Sequence, residues 1–371
     1  MSCAPLILDH HKDRNITLVI MLENQTTITE VILLGFEEIY RFQVLLFLAF
    51  LVVYIATVVG NILIFALVVF DRHFDTPMYF FLGNLSFLEA CFSSNLFPRL
   101  LLSFLTGNRM ISFSSCITQW FIFGSLEIIE CCLLCVMSYD RYLAICKPLH
   151  YVTTMKTQTC IQLAAVSWVN GFLIVLILLI LMLKLTFCGP KEIDHYFCEY
   201  FPLLKISCSD TSLMKMLSVV LAAVVTLPPF LLTMVSYVHI IATILKIPSS
   251  TGRKKAFSTC SSHLVVISIF YGSLMTAYMI PQQEIKKDMR KFSSLLYTVV
   301  PPLLNPFIYS LRNKEVKDAL RNKLLDEEMA QALATPHERV ATVGGLNCTI
   351  ICYVAIQPSR KKHKQLGQSE Q

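Results

Sequence analysis

Seven runs of apolar residues, at roughly 44–70, 78–102, 116–145, 159–183, 213–247, 255–280 and 293–311, are each long enough to cross about 30 Å of hydrocarbon. A chain built this way has little choice of architecture. In lipid every backbone amide must bond within its own segment, so each run becomes a helix and the helices must bury their polar residues against one another. The balance of 55% hydrophobic to 15% charged residues, with a mean hydropathy of +0.61, agrees with a membrane protein rather than with soluble domains. The runs show no internal repeat, which weighs against a transporter made of duplicated halves. No HExxH, GxSxG or glycine-rich phosphate loop points to an enzyme.

The net charge of +6 comes from basic residues in short clusters beside the apolar runs, not from a continuous basic stripe. That pattern suits a lipid bilayer as partner and excludes nucleic acid. Asn15-Ile16-Thr17 and Asn24-Gln25-Thr26 are glycosylation sequons ahead of the first run, usable only on the outer side. An outside N-terminus and seven crossings leave the C-terminus inside. Arg141, Lys147, Lys246, Arg253, Lys254, Arg312 and Lys317 then fall on the inner side, as the positive-inside rule requires. Lys286, Lys287, Arg290 and Lys291, expected in the outer loop before the seventh run, oppose that rule. The opening residues lack a basic start and a long apolar core, so the first span is expected to act as its own signal-anchor, and Met21 is an alternative start.

Asn84, Glu89, Glu127 and Glu130 interrupt the second and third runs and must face other helices. Glu130 precedes Arg141 by 11 residues and Glu89 follows Met78 by 11. At helical rise both carboxyls lie about 16 Å from the same membrane surface. Two carboxyls at one depth either share a proton or bracket a cation, and Asn61 and Asn305 are placed to complete the polar cluster. Glu127 is one turn nearer the other surface on roughly the same face. Of the 14 cysteines, Cys131, Cys132, Cys135 and Cys260 lie in or beside apolar runs, where cysteine serves as a small hydrophobe. Cys116, Cys188, Cys198 and Cys208 lie in polar surroundings and suggest an oxidising face. They allow three pairings; a zinc site with His195 is the rival and lacks ligands at tight spacing.

Several motifs are longer and more specific: "NQTTITEVILLGF", Gly60-Asn61, "PMYFFLGNLSFLEACF", "MSYDRYLAICKPLHY", "SYVHIIATILKIPSSTGRKKAFSTCSSHL" and "PPLLNPFIYSLRNKEVKDAL". Over about residues 24–320 the chain resembles the odorant receptors, a subfamily of the rhodopsin-like G-protein-coupled receptors, and within them the volatile-sensing, tetrapod-type branch. The resemblance implies an all-α bundle of seven transmembrane helices. It divides the chain into an extracellular segment 1–43, a receptor domain 44–311, an amphipathic inner helix 312–332 and a cytoplasmic tail 333–371, in which the Asn347 sequon would be unused.

The resemblance also implies roles for particular residues. Arg141 would face a heterotrimeric G protein of the stimulatory olfactory type, with Asp140 as its resting partner. Tyr142, Tyr237, His263 and Tyr309 would be inner-side switch residues, and Asn305-Pro306 the kink of the seventh span. Disulfides Cys116–Cys198 and Cys188–Cys208 would roof a pocket. Glu89 and Glu130 would stand at a mid-membrane sodium site, the sodium ion being the one candidate cofactor. Phe123, Gly124, Glu127, Ile128, Leu221, Val225, Tyr271, Leu274, Met275 and Tyr278 would line a cavity for a small, mainly hydrophobic volatile odorant. The expected output is a rise in cyclic AMP at the plasma membrane. The alternatives are another rhodopsin-like receptor for an amine or a peptide, or a membrane transporter or enzyme.

Overall fold

The computed structural model describes residues 28–36, 41–71, 74–278, 287–312 and Val316. Asn15, Asn24, most of the amphipathic helix expected at 312–332, the tail 333–371 and the side chain of Tyr309 lie outside the described residues. The seven long helices among these residues are α1 (Gln43–Phe70), α2 (Pro77–Thr106), α3 (Phe113–Cys146), α4 (Thr157–Met182), α5 (Ser212–Leu245), α6 (Ser250–Tyr278) and α7 (Lys287–Arg312). Four of them, α1, α3, α4 and α5, meet a membrane-crossing standard of length and apolarity outright. The other three are comparably long, at 30, 29 and 26 residues for α2, α6 and α7. Their polar residues, among them Ser86, Glu89, Ser93, His263, Ser273 and Asn305, are buried between helices instead.

The bundle keeps an apolar core but, unlike a soluble protein, is apolar on its outer surface as well. Leu45, Val52 and Val59 on α1 and Val220, Leu231 and Val238 on α5 are exposed apolar residues, as lipid-facing positions should be. The buried residues of α1 are Thr57, Asn61, Ile64 and Leu67, a stripe at helical spacing that mixes polar with apolar side chains. The helices close into a ring in which α1 lies between α2 and α7, α6 lies between α5 and α7, and α3 packs on α2, α4 and α5. Gly60 is what lets α1 approach α7, because a Cβ there would stand 2.8 Å from Pro306 Cβ. Gly171 does the same for α4 against α3, where a Cβ would meet the Ser125 carbonyl oxygen at 2.7 Å.

Helix ends run past the apolar windows. α2 continues to Thr106 and stops at Gly107, whose φ of 70° is left-handed and costs glycine nothing. α3 begins at a Ser112 cap, whose hydroxyl accepts from the Ser115 amide at 3.2 Å. α7 begins at Lys287, so Arg290 and Lys291, expected in a loop, lie in its first turns; Arg290 is buried there and Lys291 bonds to the loops above. Apolarity alone marks the hydrocarbon slab, whereas hydrogen bonding carries the helix beyond it.

A small sheet at this end escapes the hydropathy reading. β1 (Glu30–Leu33) is central, with β2 (Met110–Ser112) antiparallel on one side and β3 (Glu192–Ile193) parallel on the other. It joins the N-terminal segment, the α2–α3 connection and the α4–α5 connection, segments too short and too distant in sequence for periodicity to reveal.

Candidate ligand site and switch region

The α4–α5 connection forms a roof over the sheet-bearing end. Cys116 and Cys198 are bonded, tying the roof to the start of α3 at a Cα separation of 5.4 Å, and Cys188 and Cys208 are bonded at 5.7 Å. All four loop cysteines are thus consumed, which leaves the zinc alternative with no thiolate there, and no metal cluster occurs among the described residues. Gln119, one turn below Cys116, accepts from the Cys198 amide at 3.0 Å and exchanges bonds of 3.0 Å with the Asn95 backbone and side chain. The roof is also fixed to α7. Asp194 pairs with Lys291 at 2.7 Å, His195 Nε2 lies 3.2 Å from the Ser294 hydroxyl, and Tyr196 bonds Thr298. Burial, reinforced by Lys291 and Arg290, lowers the His195 pKa to about 3, so its ring is neutral.

Under the roof the expected ligand residues separate into groups. Phe123 packs on Phe92, Phe197 and Tyr297, with ring centroids 5.0, 4.6 and 6.2 Å away. Glu127 is buried, with the Tyr278 hydroxyl directed toward it and one carboxyl oxygen without a hydrogen-bond partner among the described residues. Leu274, Met275 and Tyr278 belong to the same core as Phe123. Tyr271 is buried and donates to the Cys131 carbonyl at 2.9 Å, which bridges α6 to α3 one turn below Glu127. Gly124, by contrast, is turned to Val175 on α4, where a Cβ would make ordinary contact at 3.5 Å. Ile128 packs in the second core, among residues of the roof and α4, and Leu221 and Val225 are half-buried on α5 outside both cores.

Residues unforeseen from sequence complete this region. Glu199 follows Cys198 directly, is buried to 1% exposure, and acts electrostatically on Glu127, Tyr278 and Tyr297. Burial raises its carboxyl to about 7, against the opposing pull of Arg290 and Lys205. Its position beside a half-cystine that must reach α3 was the available signal.

Deeper in the bundle Asn305 donates to Glu89 Oε1, Asn61 donates to the Pro302 carbonyl at 3.0 Å, and Glu130 lies within electrostatic reach of Glu89. The four residues expected to cluster are therefore contributed by α1, α2, α3 and α7. Both Glu130 oxygens, Glu89 Oε2, Asn61 Oδ1 and Asn305 Oδ1 are buried acceptors with no donor among the described residues.

At the opposite end Asp140 accepts from the Tyr151 hydroxyl at 3.0 Å. That tyrosine sits in the short helix Pro148–Thr154, and the expected partner Arg141 also acts electrostatically on the Asp140 carboxylate. Tyr237 bonds His263 across α5 and α6, and the Tyr142 ring packs at a tilt on His239, with centroids 5.7 Å apart. An open groove of about 400 Å³ runs between Thr76, Pro77, Asp140, Arg141 and Tyr151.

The sequence that builds these helices, the doubly bridged roof and the groove at Arg141 has known relatives. The family profile described as olfactory receptor matches residues 50–327. The chain belongs to the olfactory receptor family. Among curated relatives, human olfactory receptor 6C4 is 47% identical over 303 residues, covering 82% of this chain and 98% of the relative. Mouse olfactory receptor 1M1 is 45% identical over 308 residues, 83% of this chain and 98% of its own length. Human olfactory receptor 6B1 is 48% identical over 300 residues, covering 81% and 96% respectively. This olfactory receptor is accordingly a multi-pass membrane protein and a receptor, not an enzyme.

Proposed function

We propose that this olfactory receptor binds a small, mainly hydrophobic volatile odorant beneath the roof, beside Glu127, and couples to a stimulatory olfactory-type G protein that raises cyclic AMP. Family membership supports odorant binding and G-protein coupling in general. The roof would face outward at the plasma membrane, with any glycan at Asn24 or Asn15 on that side, and the groove at Arg141 would face the cytoplasm. In that orientation residues 1–43 would be extracellular, 44–311 the receptor domain, and 312–332 and 333–371 cytoplasmic.

The observation that carries the reading is Glu127, a buried carboxyl with one oxygen that has no hydrogen-bond partner among the described residues, beside the aromatic rings of Tyr278 and Tyr297. Packing alone disfavours a carboxyl there, while a ligand contact explains it. Activation would be a population shift in which ligand favours an arrangement with α6 displaced. The Tyr237–His263 bond and Asp140–Tyr151 bond are the contacts that such a movement would rearrange. Asn305-Pro306, with Tyr309 beyond them, would supply the kink through which α7 takes part.

The mid-bundle cluster fits a sodium ion, because its buried acceptor oxygens outnumber the donors that face them. Glu89, Glu130, Asn61 and Asn305 would hold it, and the ion would supply the positive charge the cluster lacks.

A cyclic-AMP reporter in cells with verified surface expression, challenged with an odorant panel, tests the assignment. Glu127→Gln should change which odorants activate while the receptor still reaches the surface. An unchanged ligand profile would reject the role of Glu127.

A further inference from the structure

Two buried carboxyls from different elements lie within electrostatic reach of each other under the roof. Glu127 comes from α3 and is 7% exposed; Glu199 comes from the residue after Cys198 and is 1% exposed. Glu127 Oε1 and Glu199 Oε2 each lack a hydrogen-bond partner among the described residues. The phenols of Tyr278 on α6 and Tyr297 on α7 lie within electrostatic reach of both carboxyls. Aromatic rings enclose the remainder, with Phe123 and Phe197 centroids 4.6 Å apart and Phe201 and Tyr278 centroids 6.2 Å apart.

A buried carboxyl becomes tolerable by taking up a proton or by meeting a positive charge. Among the described residues Tyr278, Glu130, Glu199 and Tyr297 act on Glu127, none of them basic. Glu199 is acted on by Arg290 from α7 and Lys205 from the helix Tyr200–Lys205, which keep it titrating at about 7. It therefore exchanges its proton near neutral pH, and its Oε2 has no hydrogen-bond partner among the described residues. Two acidic groups within a wall of aromatic rings are complementary to an ammonium. Carboxylates give it charge-assisted hydrogen bonds, and ring faces attract a cation. A neutral alcohol of the same shape gains only the hydrogen bond.

We propose that the odorant is a small protonated amine held between the carboxylates of Glu127 and Glu199, with Tyr278 and Tyr297 beside it. The proposal rests on the reading that Glu127 contacts the ligand. It adds Glu199 as a second binding residue and fixes the chemical class.

The test uses the full-length receptor, with surface expression measured for every variant. Primary amines of four to eight carbons are compared with alcohols of the same skeletons in the cyclic-AMP assay, and by thermal shift of purified receptor, which needs no G protein. At least one amine should act at a concentration about tenfold below its alcohol. Glu127→Gln and Glu199→Gln should each raise that concentration about tenfold or more and reduce the amine's thermal shift, while alcohol responses change less than about threefold. Lowering the pH below about 7 should weaken the amine in wild type as Glu199 takes up its proton. Absence of any amine response or shift in surface-expressed receptor, or an amine potency indifferent to Glu199→Gln, overturns the proposal. If Glu127→Gln nevertheless alters responses to alcohols or carbonyls, the reading of Glu127 as a ligand contact survives. If it alters none, that reading fails as well.

Discussion

The hydroxyls of Tyr196 and Thr298 meet at 3.0 Å, joining the roof to α7 one turn below Ser294. With Asp194 on Lys291 and His195 on Ser294, three consecutive roof residues engage three positions along one face of the helix. A roof fastened in this way, and also bonded to α3 through Cys198, couples the two helices that carry Glu127 and Tyr297. Tyr196→Phe removes one hydroxyl of a buried pair and should lower stability by about 1 kcal/mol. Thermal denaturation of purified receptor reads this directly. Tyr196→Phe combined with Thr298→Val should cost less than the sum of the single changes, because both remove the same bond.

Two roof groups give opposing pH dependences. Glu199 is raised from 4.5 to about 7, so its contribution to stability is complete below pH 4.5 and is lost as pH rises through 7. His195 is lowered from 6.5 to about 3, so its contribution is complete above pH 6.5 and is lost as pH falls toward 3. Between pH 4.5 and 6.5 the slopes oppose, each at most about 1.4 kcal/mol per pH unit. Wild-type melting temperature should therefore vary little in that window. Glu199→Gln should unmask a rise with pH, and His195→Asn a fall. Parallel curves for all three proteins would contradict the assignment.

Much of this fold could be read from the chain because one physical quantity, apolar length, determines a membrane helix. The buried carboxyls were visible for a related reason, since Glu89, Glu127 and Glu130 are expensive in a helix and so must be placed against something. The sheet was not visible, because Glu192–Ile193 is a two-residue strand whose partner lies about 160 residues earlier. Glu199 was missed because a glutamate in a loop costs nothing until the Cys116–Cys198 bond draws it inside. Gly124 was expected on the ligand side, whereas a Cβ built there points to Val175 on α4.

Gly60 sets the distance between α1 and α7. A methyl group there would stand 2.8 Å from Pro306 Cβ, and proline cannot rotate a side chain away. Gly60→Ala should force the two helices apart, with an overpacking cost of about 1–3 kcal/mol, and Gly60→Val should cost more. Surface expression and melting temperature should fall in that order. Gly272→Ala is the control, since nothing lies within 4 Å of a Cβ at that position.

The mid-bundle cluster makes the last expectation. Asn305 donates to Glu89 Oε1, and Asn61 donates to the Thr57 and Pro302 carbonyls and also reaches the Glu89 carboxyl, whereas both Glu130 oxygens lack a partner among the described residues. If sodium supplies the missing charge, it binds the folded bundle alone and must stabilise it by mass action, by about 2.7 kcal/mol at a hundredfold excess over its dissociation constant. Purified receptor should melt higher in sodium chloride than in choline chloride of equal ionic strength. Glu130→Gln should abolish that difference without unfolding the receptor, because the new amide brings a donor for the Glu89 carboxyl in place of the cation. Equal melting temperatures in the two salts would exclude the ion. A sodium effect that persists in both Glu130→Gln and Glu89→Gln would place it elsewhere in the bundle.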